Sequence, residues 1–515
     1  MLHNFKRYNM IESINIFSRM LVALLLCVGV VLTSCEGADP LGGENTEQGN
    51  DDTQPGEGDN VVTSGPLTGA LEKVNWNSVT FAGRLDVPAA DIPFSQVTVC
   101  YSDAENFNIN DAQKASTTTF DADQKFTIIV TGLNPNVKYK YCLIAEVKSE
   151  KIYGTVQDFT PKAQAASGYT DLSTKSSANC FIISQSGSYC FPVVRGNASS
   201  DWLLKTTESE VLWESFGTDV ELNVGDIIKS VYFEEGYISF KTANPFKEGN
   251  AVIAAKDASG SILWSWHIWL TDEPLGQEYY NNAGTMMDRN LGATSATPGD
   301  VGALGLLYQW GRKDPFLGSA SITSYWGAFT DVKSTITWPS AVSSDSSTGT
   351  IAYATSNPTT FIKKNWENYE WYYPSTESTD NTFWTRSDKS KSIYDPCPSG
   401  WRVPDGGDNG VWSKALGSSA DKQKHTYDSS NMGMNFSGKF GAASMIWYPG
   451  TACLDGESGR LYNNGEEDMN GKYWAVPADS NDDIWLTLLF TDTGNVYPSN
   501  GGSSADGLPV RCIQE

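Results

Sequence analysis

Histidine is scarce in this chain: three occur in 515 residues, and only His267 and His425 lie beyond the N-terminal segment. A Ser-His-Asp or Cys-His set needs an imidazole beside its nucleophile, and these two fall in segments assigned below to different domains. His267 sits on a strand, where a lone histidine is expected to be a hydrogen-bonded structural residue. His425 lies in Asp421-Lys422-Gln423-Lys424-His425-Thr426, which reads as an exposed loop. No G-x-S-x-G, H-E-x-x-H or Walker phosphate loop occurs. No two cysteines form a C-x-x-C pair, which argues against a zinc site. Positive charge is also short: 36 Lys and Arg face 61 Asp and Glu, a net charge of -25. Such a chain repels nucleic acid, which excludes that class of partner. The apolar run Leu21 to Leu32 falls short of the ~20 residues needed to span a hydrocarbon core.

What is present starts at that run. Lys6, Arg7 and Arg19 precede it, the order of a secretory signal. It ends in Leu32-Thr33-Ser34-Cys35, which resembles a bacterial lipobox. The resemblance implies removal of residues 1–34 as a lipoprotein signal peptide. It also implies diacylglycerol on the Cys35 sulfur, making a membrane the first partner; two or three acyl chains at ~0.8 kcal/mol per buried methylene hold durably. Residues 35–66 then carry Glu36, Asp39, Glu44, Glu47, Asp51, Asp52, Glu57 and Asp59 with no Lys or Arg, the composition of a disordered, self-repelling tether. An acidic patch soon after the lipid cysteine resembles the surface-export signal of Bacteroidota lipoproteins, which implies an outer-membrane location facing the exterior.

The ~480 residues that remain suggest three domains. Abundant Gly, Trp and Tyr with 19% charged residues point to β-rich extracellular modules. Segment 67–162 reads as short alternating strands, with Tyr139, Tyr141, Leu143 and Ala145 on one face. Leu133-Asn134-Pro135-Asn136-Val137-Lys138-Tyr139 resembles the E–F corner of fibronectin type III domains. The resemblance implies a sandwich in which the Tyr139 hydroxyl bonds back to the corner's backbone, serving as a spacer or binding module. Cys100 and Cys142 fall on the polar phase of strands that pair in that fold, which allows a cross-strand bridge. Segment 168–272 reads as a second immunoglobulin-like β-sandwich. Its last strand, Ile262 to Leu270, places Trp264, Trp266 and Ile268 on one face and Leu263, Ser265, His267 and Trp269 on the other.

Segment 276–515 has long polar loops and few helix signals, the best being Val411 to Leu416. Four motifs stand in order: Met287-Asp288-Arg289-Asn290-Leu291-Gly292-Ala293; Leu307-Tyr308-Gln309-Trp310-Gly311-Arg312-Lys313-Asp314-Pro315-Phe316; Tyr394-Asp395-Pro396-Cys397-Pro398-Ser399-Gly400-Trp401-Arg402-Val403-Pro404; and Leu508-Pro509-Val510-Arg511-Cys512. Together they resemble the Fibrobacter succinogenes major paralogous domain. Gly400 to Pro404 followed by Trp412 is more distantly similar to formylglycine-generating-enzyme-like domains, which implies an α+β C-type-lectin-like fold. The family carries no established activity and is mostly found on secreted and surface proteins, some of them fimbria-associated. The copper-binding cysteines of true formylglycine-generating enzymes have no matched pair here, which removes oxidase chemistry from what the resemblance implies.

With Cys27 removed with the signal and Cys35 taken by lipid, seven cysteines are left, Cys100, Cys142, Cys180, Cys190, Cys397, Cys453 and Cys512, so at least one is unbridged if all bridges are internal. Cys397 and Cys512, each inside a motif, are the expected disulfide; a bridge closing about 100 residues is worth ~4.7 kcal/mol in the chain-entropy model. Arg289, Arg312, Arg402 and Arg511 are expected to pair with buried Asp288, Asp314 or Asp395. Trp310 and Trp401 are expected in the core. Trp366, Tyr369, Trp371, Tyr372 and Tyr373 form a dense aromatic cluster with interleaved Asn and Glu, the composition of a carbohydrate platform or of a core cover. Asp405-Gly406-Gly407-Asp408-Asn409-Gly410 and Asp479-Ser480-Asn481-Asp482-Asp483 offer oxygen ligands of the kind calcium takes, without matching an EF-hand loop. The sequence thus points to a non-catalytic, lipid-anchored adhesion protein binding extracellular glycan or protein. The alternatives are a polysaccharide-active enzyme using loop carboxylates and a structural, fimbria-tip-like subunit.

Overall fold

The structure is a computed structural model and describes residues 62–216, 220–317, 340–365, 370–373, 383–385, 390–417, 423–451, 453–459, 461–462, 470–477 and 486–515. The signal peptide, Cys35 and nearly all of the acidic tether lie outside the described residues. So do Trp366 and Tyr369 of the aromatic cluster and the second calcium candidate, 479–483. What is described is mostly β.

The first sandwich packs a four-stranded sheet on a five-stranded one. One sheet runs in the order β1 (Val62–Ser64), β2 (Leu67–Val74), β3 (Ser78–Leu85), β6 (Lys125–Thr131); the other runs β5 (Gln113–Thr117), β4 (Ser95–Ser102), β7 (Tyr139–Val147), β8 (Glu150–Tyr153), with β9 (Gln157–Phe159) also on β7. The order is that of a fibronectin- or immunoglobulin-like sandwich. Phe126, Ile128 and Val130 alternate inward from β6 and meet Tyr139, Tyr141, Leu143 and Ala145 of β7. The β7–β8 hairpin turns at Lys148 and Ser149, both at positive φ (48° and 75°), as a two-residue turn matching strand twist requires. At the E–F corner the backbone N–H of Asn134 donates to the Tyr139 hydroxyl at 3.0 Å. The Tyr139 ring stacks on Phe159 at 5.6 Å.

The second sandwich pairs the sheet β10 (Thr170–Asp171), β12 (Ser188–Pro192), β16 (Tyr237–Thr242), β15 (Ile228–Glu234) with the sheet β11 (Cys180–Ile183), β18 (Ile262–Leu270), β17 (Gly249–Lys256), β13 (Glu208–Phe216), β14 (Val220–Leu222). Phe181, Phe191, Ile238, Phe240, Ile253, Trp264 and Trp266 fill the space between them. Trp76, in the turn between β2 and β3, leaves the first sandwich and packs here against Trp202 and Phe233, with ring centroids 6.3 and 5.7 Å away. Asn77 Nδ2 donates to the Leu204 carbonyl at 2.7 Å beside it.

The five-stranded sheet is buried on its other face too. Cys180, Ser265, His267 and Trp269 point away from the sandwich core and into the third region. That region holds several small sheets. In one, β19 (Gly276–Glu278) and β20 (Thr285–Met287) continue into the final strand, Ile513–Gln514, and then into Trp401–Arg402. The chain end therefore returns to pair with the start of the region, and Cys512 beside it is disulfide-bonded to Cys397 across 115 residues. The other described cysteines form no disulfide. Two short α-helices occur among the described residues, α1 (Ile351–Ser356) and α2 (Val411–Leu416). Thr350 caps α1, its hydroxyl accepting from the Tyr353 N–H. His425 corrects the sequence reading: it is not in an exposed loop but buried at the start of the strand His425–Asp428, its ring 6.5 Å from Phe436.

The corner hydroxyl is the acceptor for a partly buried amide, so Tyr139→Phe is expected to remove about 1–3 kcal/mol locally. Hydrogen exchange of the full chain checks it: the Asn134 amide should exchange at least about 5-fold faster in the variant.

Candidate functional site

The motif residues of the third region build a buried polar lattice. Arg289 bonds Asp288 at 2.9 Å and Thr271 at 3.2 Å, and also engages Asp272. Lys313 Nζ lies 2.6 Å from Asp314 and donates to the Ser265 hydroxyl (2.6 Å) and carbonyl (3.0 Å), while its ammonium sits 4.6 Å from the Trp264 ring centre. Burial pulls the Lys313 pKa down, and Asp314 opposes that shift. Arg312 does not take Asp314 as its partner. It donates to Gln309 Oε1 and the Thr360 carbonyl at 2.8 Å, with further carbonyls of helix α1 and the turn after it within 3.5 Å. Arg511 pairs with no Asp either: it bonds Asn290 Oδ1 at 3.1 Å and the Trp447 carbonyl at 2.9 Å, flat on the Tyr448 ring at 3.7 Å. Asp395 accepts from the N–H groups of Cys397 and Val403, with Lys391 3.7 Å away. A void of about 10 Å³ among Arg312, Lys313, Ala354 and Trp371 has room for one water. Among the described residues these groups bind one another.

His267 belongs to the same lattice. Its Nε2 lies 2.8 Å from Asn250 Oδ1, and its Nδ1 lies 3.4 Å from both the Tyr308 hydroxyl and the Cys180 thiol. Asn250 Nδ2 donates to the Gly292 carbonyl, which leaves Oδ1 to accept from Nε2–H. Burial holds the imidazole neutral, its pKa down to about 3.

The aromatic cluster needs a correction. Trp371 is no carbohydrate platform: it is 0% exposed, its indole N–H donates to the Trp310 carbonyl at 2.7 Å, and Phe383 packs 6.0 Å away. Tyr372 and Tyr373 are half-buried; Tyr372 meets the edge of Phe383 at 5.1 Å. Trp310 is buried as expected, and Trp401 is half-buried against the same core. Glu370 lies at the base of this segment, and burial pushes its carboxyl up to about 7. The first calcium candidate is also occupied, since Arg402 grips Asp405 with two bonds of 3.2 and 2.6 Å. Among the described residues no cluster of three or more His, Cys, Asp or Glu is placed to hold a metal.

An open cleft of about 520 Å³ lies instead on the first sandwich, where the sequence reading placed no site. Glu105, Asn106 and Phe107 of the β4–β5 loop form one wall; Val156, Gln157 and Asp158 form the other, with Lys140 of β7 between. Lys140 Nζ donates to the Glu105 carbonyl at 2.6 Å and holds the loop in place. Phe107 is half-buried and Val156 is 52% exposed, so an apolar floor is ringed by amides and carboxylates. The only hint in the sequence is Gly154-Thr155-Val156, which interrupts the last strand between β8 and β9.

No family model matches this chain, and no curated protein matches it. Solved structures with some likeness include the sensor domain of the anti-sigma factor RsgI4 of Pseudobacteroides cellulosolvens (14% identity, TM-score 0.16, 21% of this chain and 79% of that one). Others are the FN1–FN3 domains of chicken CNTN1 (12%, 0.17, 43% and 74%) and a chimeric titin Z1Z2 (12%, 0.16, 40% and 97%). At such TM-scores the assignment of the sandwiches rests on their own strand order.

Glu370 sets a pH dependence. Its folded pKa of about 7 stands above the ordinary 4.5, so its contribution to stability is full below pH about 4.5 and is lost as pH rises through about 7. Glu370→Gln should flatten the fall in thermal midpoint over that window relative to wild type, measured by calorimetry from pH 4.5 to 7.5.

Proposed function

We propose that this chain is a lipid-anchored protein of the outer membrane, displayed outward on its acidic tether, that binds extracellular glycan through the cleft of its first sandwich. The single observation that carries the binding reading is the composition of that cleft. Phe107 and Val156 offer an apolar surface for the flat face of a sugar, and Asn106, Gln157, Glu105 and Asp158 offer acceptors and donors for its hydroxyls. Cys35 supplies the anchor in this reading, and the first described sandwich is the module next to the tether. The second sandwich and the third region serve as a rigid base. For the third region we infer the C-type-lectin-like, major-paralogous-domain fold, on the strength of its ordered motifs and the 397–512 bridge.

The test is a glycan array with the folded, signal-free chain, repeated with Phe107→Ala. Binding that falls at least about 10-fold in the variant, with the thermal midpoint unchanged, is the expected result; that loss is ~1.4 kcal/mol. Glycan binding that survives Phe107→Ala at full strength, or no glycan retained by wild type, rejects the reading.

A further inference from the structure

Two free cysteines of the first sandwich stand directly opposite one another. Cys100 of β4 and Cys142 of β7 are register partners in the antiparallel ladder. The ladder geometry fixes the kind of pair they make. The Leu143 carbonyl accepts from the Gly154 N–H on the outer side of β7. Alternation then turns the peptide groups of residue 142 toward β4. Cys100 and Cys142 are therefore a hydrogen-bonded pair, whose Cα atoms stand ~5.5 Å apart. Disulfides span Cα separations of ~4.4–6.8 Å, which this pair meets; the Cβ atoms of a hydrogen-bonded pair stand ~5.5 Å apart against the ~3.5–4.5 Å of a disulfide, so the bridge closes with a small local twist of the two strands. Both side chains lie on the face of the sheet turned away from the core, the same face as Lys140 and the cleft. No other described cysteine has a cysteine as its ladder partner: Cys180 faces His267, Cys190 faces Ser239 and Cys453 faces Tyr462.

We propose that Cys100 and Cys142 are a reversible dithiol–disulfide pair set beside the cleft. The chemistry is exchange with a small-molecule or protein disulfide. One thiolate attacks a sulfur of the oxidant and expels a thiol. The second thiolate attacks the mixed disulfide and expels the other thiol. Two electrons pass to the oxidant, which leaves as two thiols carrying the two protons. In the dithiol form the Cys142 thiol donates to the Gly154 carbonyl at 3.2 Å. Bridging turns that sulfur toward Cys100 and removes the donor, so the 154–156 segment, whose Val156 lines the cleft, loses a tie to β7. Lys114, directly across from Cys100 on β5, and Lys151 are the cations acting on Cys100; both are exposed, and their side chains can swing aside. Burial pushes both thiols up, so exchange speeds as pH rises. The pair stands on register alone and is independent of what the cleft binds.

The experiment uses the full chain held at pH 8.5 with oxidised glutathione, then denatured, alkylated and cut with trypsin. Cleavage after Arg84, Lys114, Lys140 and Lys148 isolates Cys100 in 85–114 and Cys142 in 141–148. The expected result is those two peptides linked, the link lost in dithiothreitol, and faster hydrogen exchange at residues 154–156 in the oxidised protein. In Cys100→Ser the 141–148 peptide should be recovered unlinked. If wild type yields both peptides alkylated, or each separately glutathionylated, while the protein is folded, the proposal is overturned.

Discussion

The strand Ile262–Leu270 is buried on both faces, and most of the structure beyond residue 168 depends on it. Trp264, Trp266 and Ile268 close the core of the second sandwich. Ser265, His267 and Trp269, on the opposite face, are the floor of the third region: the Ser265 hydroxyl accepts from Lys313 and donates to Asp314, His267 meets Tyr308, and the Trp269 indole N–H donates to the Ala293 carbonyl at 2.9 Å. A strand with only one buried face would alternate apolar with charged residues. This one carries no charged residue, and Ser265, His267 and Trp269 of its second face each reach a hydrogen-bond partner across the junction. The five-stranded sheet is thus the middle layer of three, and the segments on either side of residue 272 share it.

Polar contacts rather than apolar area alone set the register of that junction. Apolar surfaces slide over each other at little cost, whereas the Lys313–Asp314–Ser265 set is satisfied in one position only. A buried ion pair adds little net stability, but removing one partner costs about 3–5 kcal/mol because the other is left buried alone. Asn179 shows the same logic: its amide donates to the carbonyls of Ile393 and Asp395 at 2.7 and 2.8 Å while its oxygen accepts from Trp264 Nε1. The disulfide adds a covalent tie at the far side, where Cys512 joins the last strand to the Asp395–Val403 turn. The described cations of the motifs are consumed in this scaffold, whereas the first sandwich carries an open cleft.

Local patterns in the sequence were legible where they were also the structure's own determinants. Period-two burial on β7, the two faces of β18, the E–F corner tyrosine and the helix at Val411–Leu416 all follow from spacing and turn chemistry. What could not be read was which neighbour a side chain would meet. Trp371 sits in a polar, aromatic segment that looks like a surface platform, yet its indole turns inward because the Trp310 carbonyl needs a donor there. His425 follows a charged run, but its ring points to Phe436 from the first residue of a strand. Arg312 precedes Asp314 by two residues, an attractive pairing on paper; the carbonyls after α1 take it instead. The cleft was invisible for the same reason, since it arises where a loop after β4 and a break after β8 come together on one sheet.

The central claim is that 168–272 and 276–515 fold as one body around the shared sheet. Expressing 276–515 alone tests it most directly, with near-ultraviolet circular dichroism and urea unfolding compared with the 168–515 fragment. The account predicts that 168–515 unfolds in one cooperative transition and that 276–515 alone lacks a fixed aromatic signal, because its floor of Ser265, His267 and Trp269 is missing. A cooperative transition of isolated 276–515 at the same urea midpoint as 168–515 would contradict it.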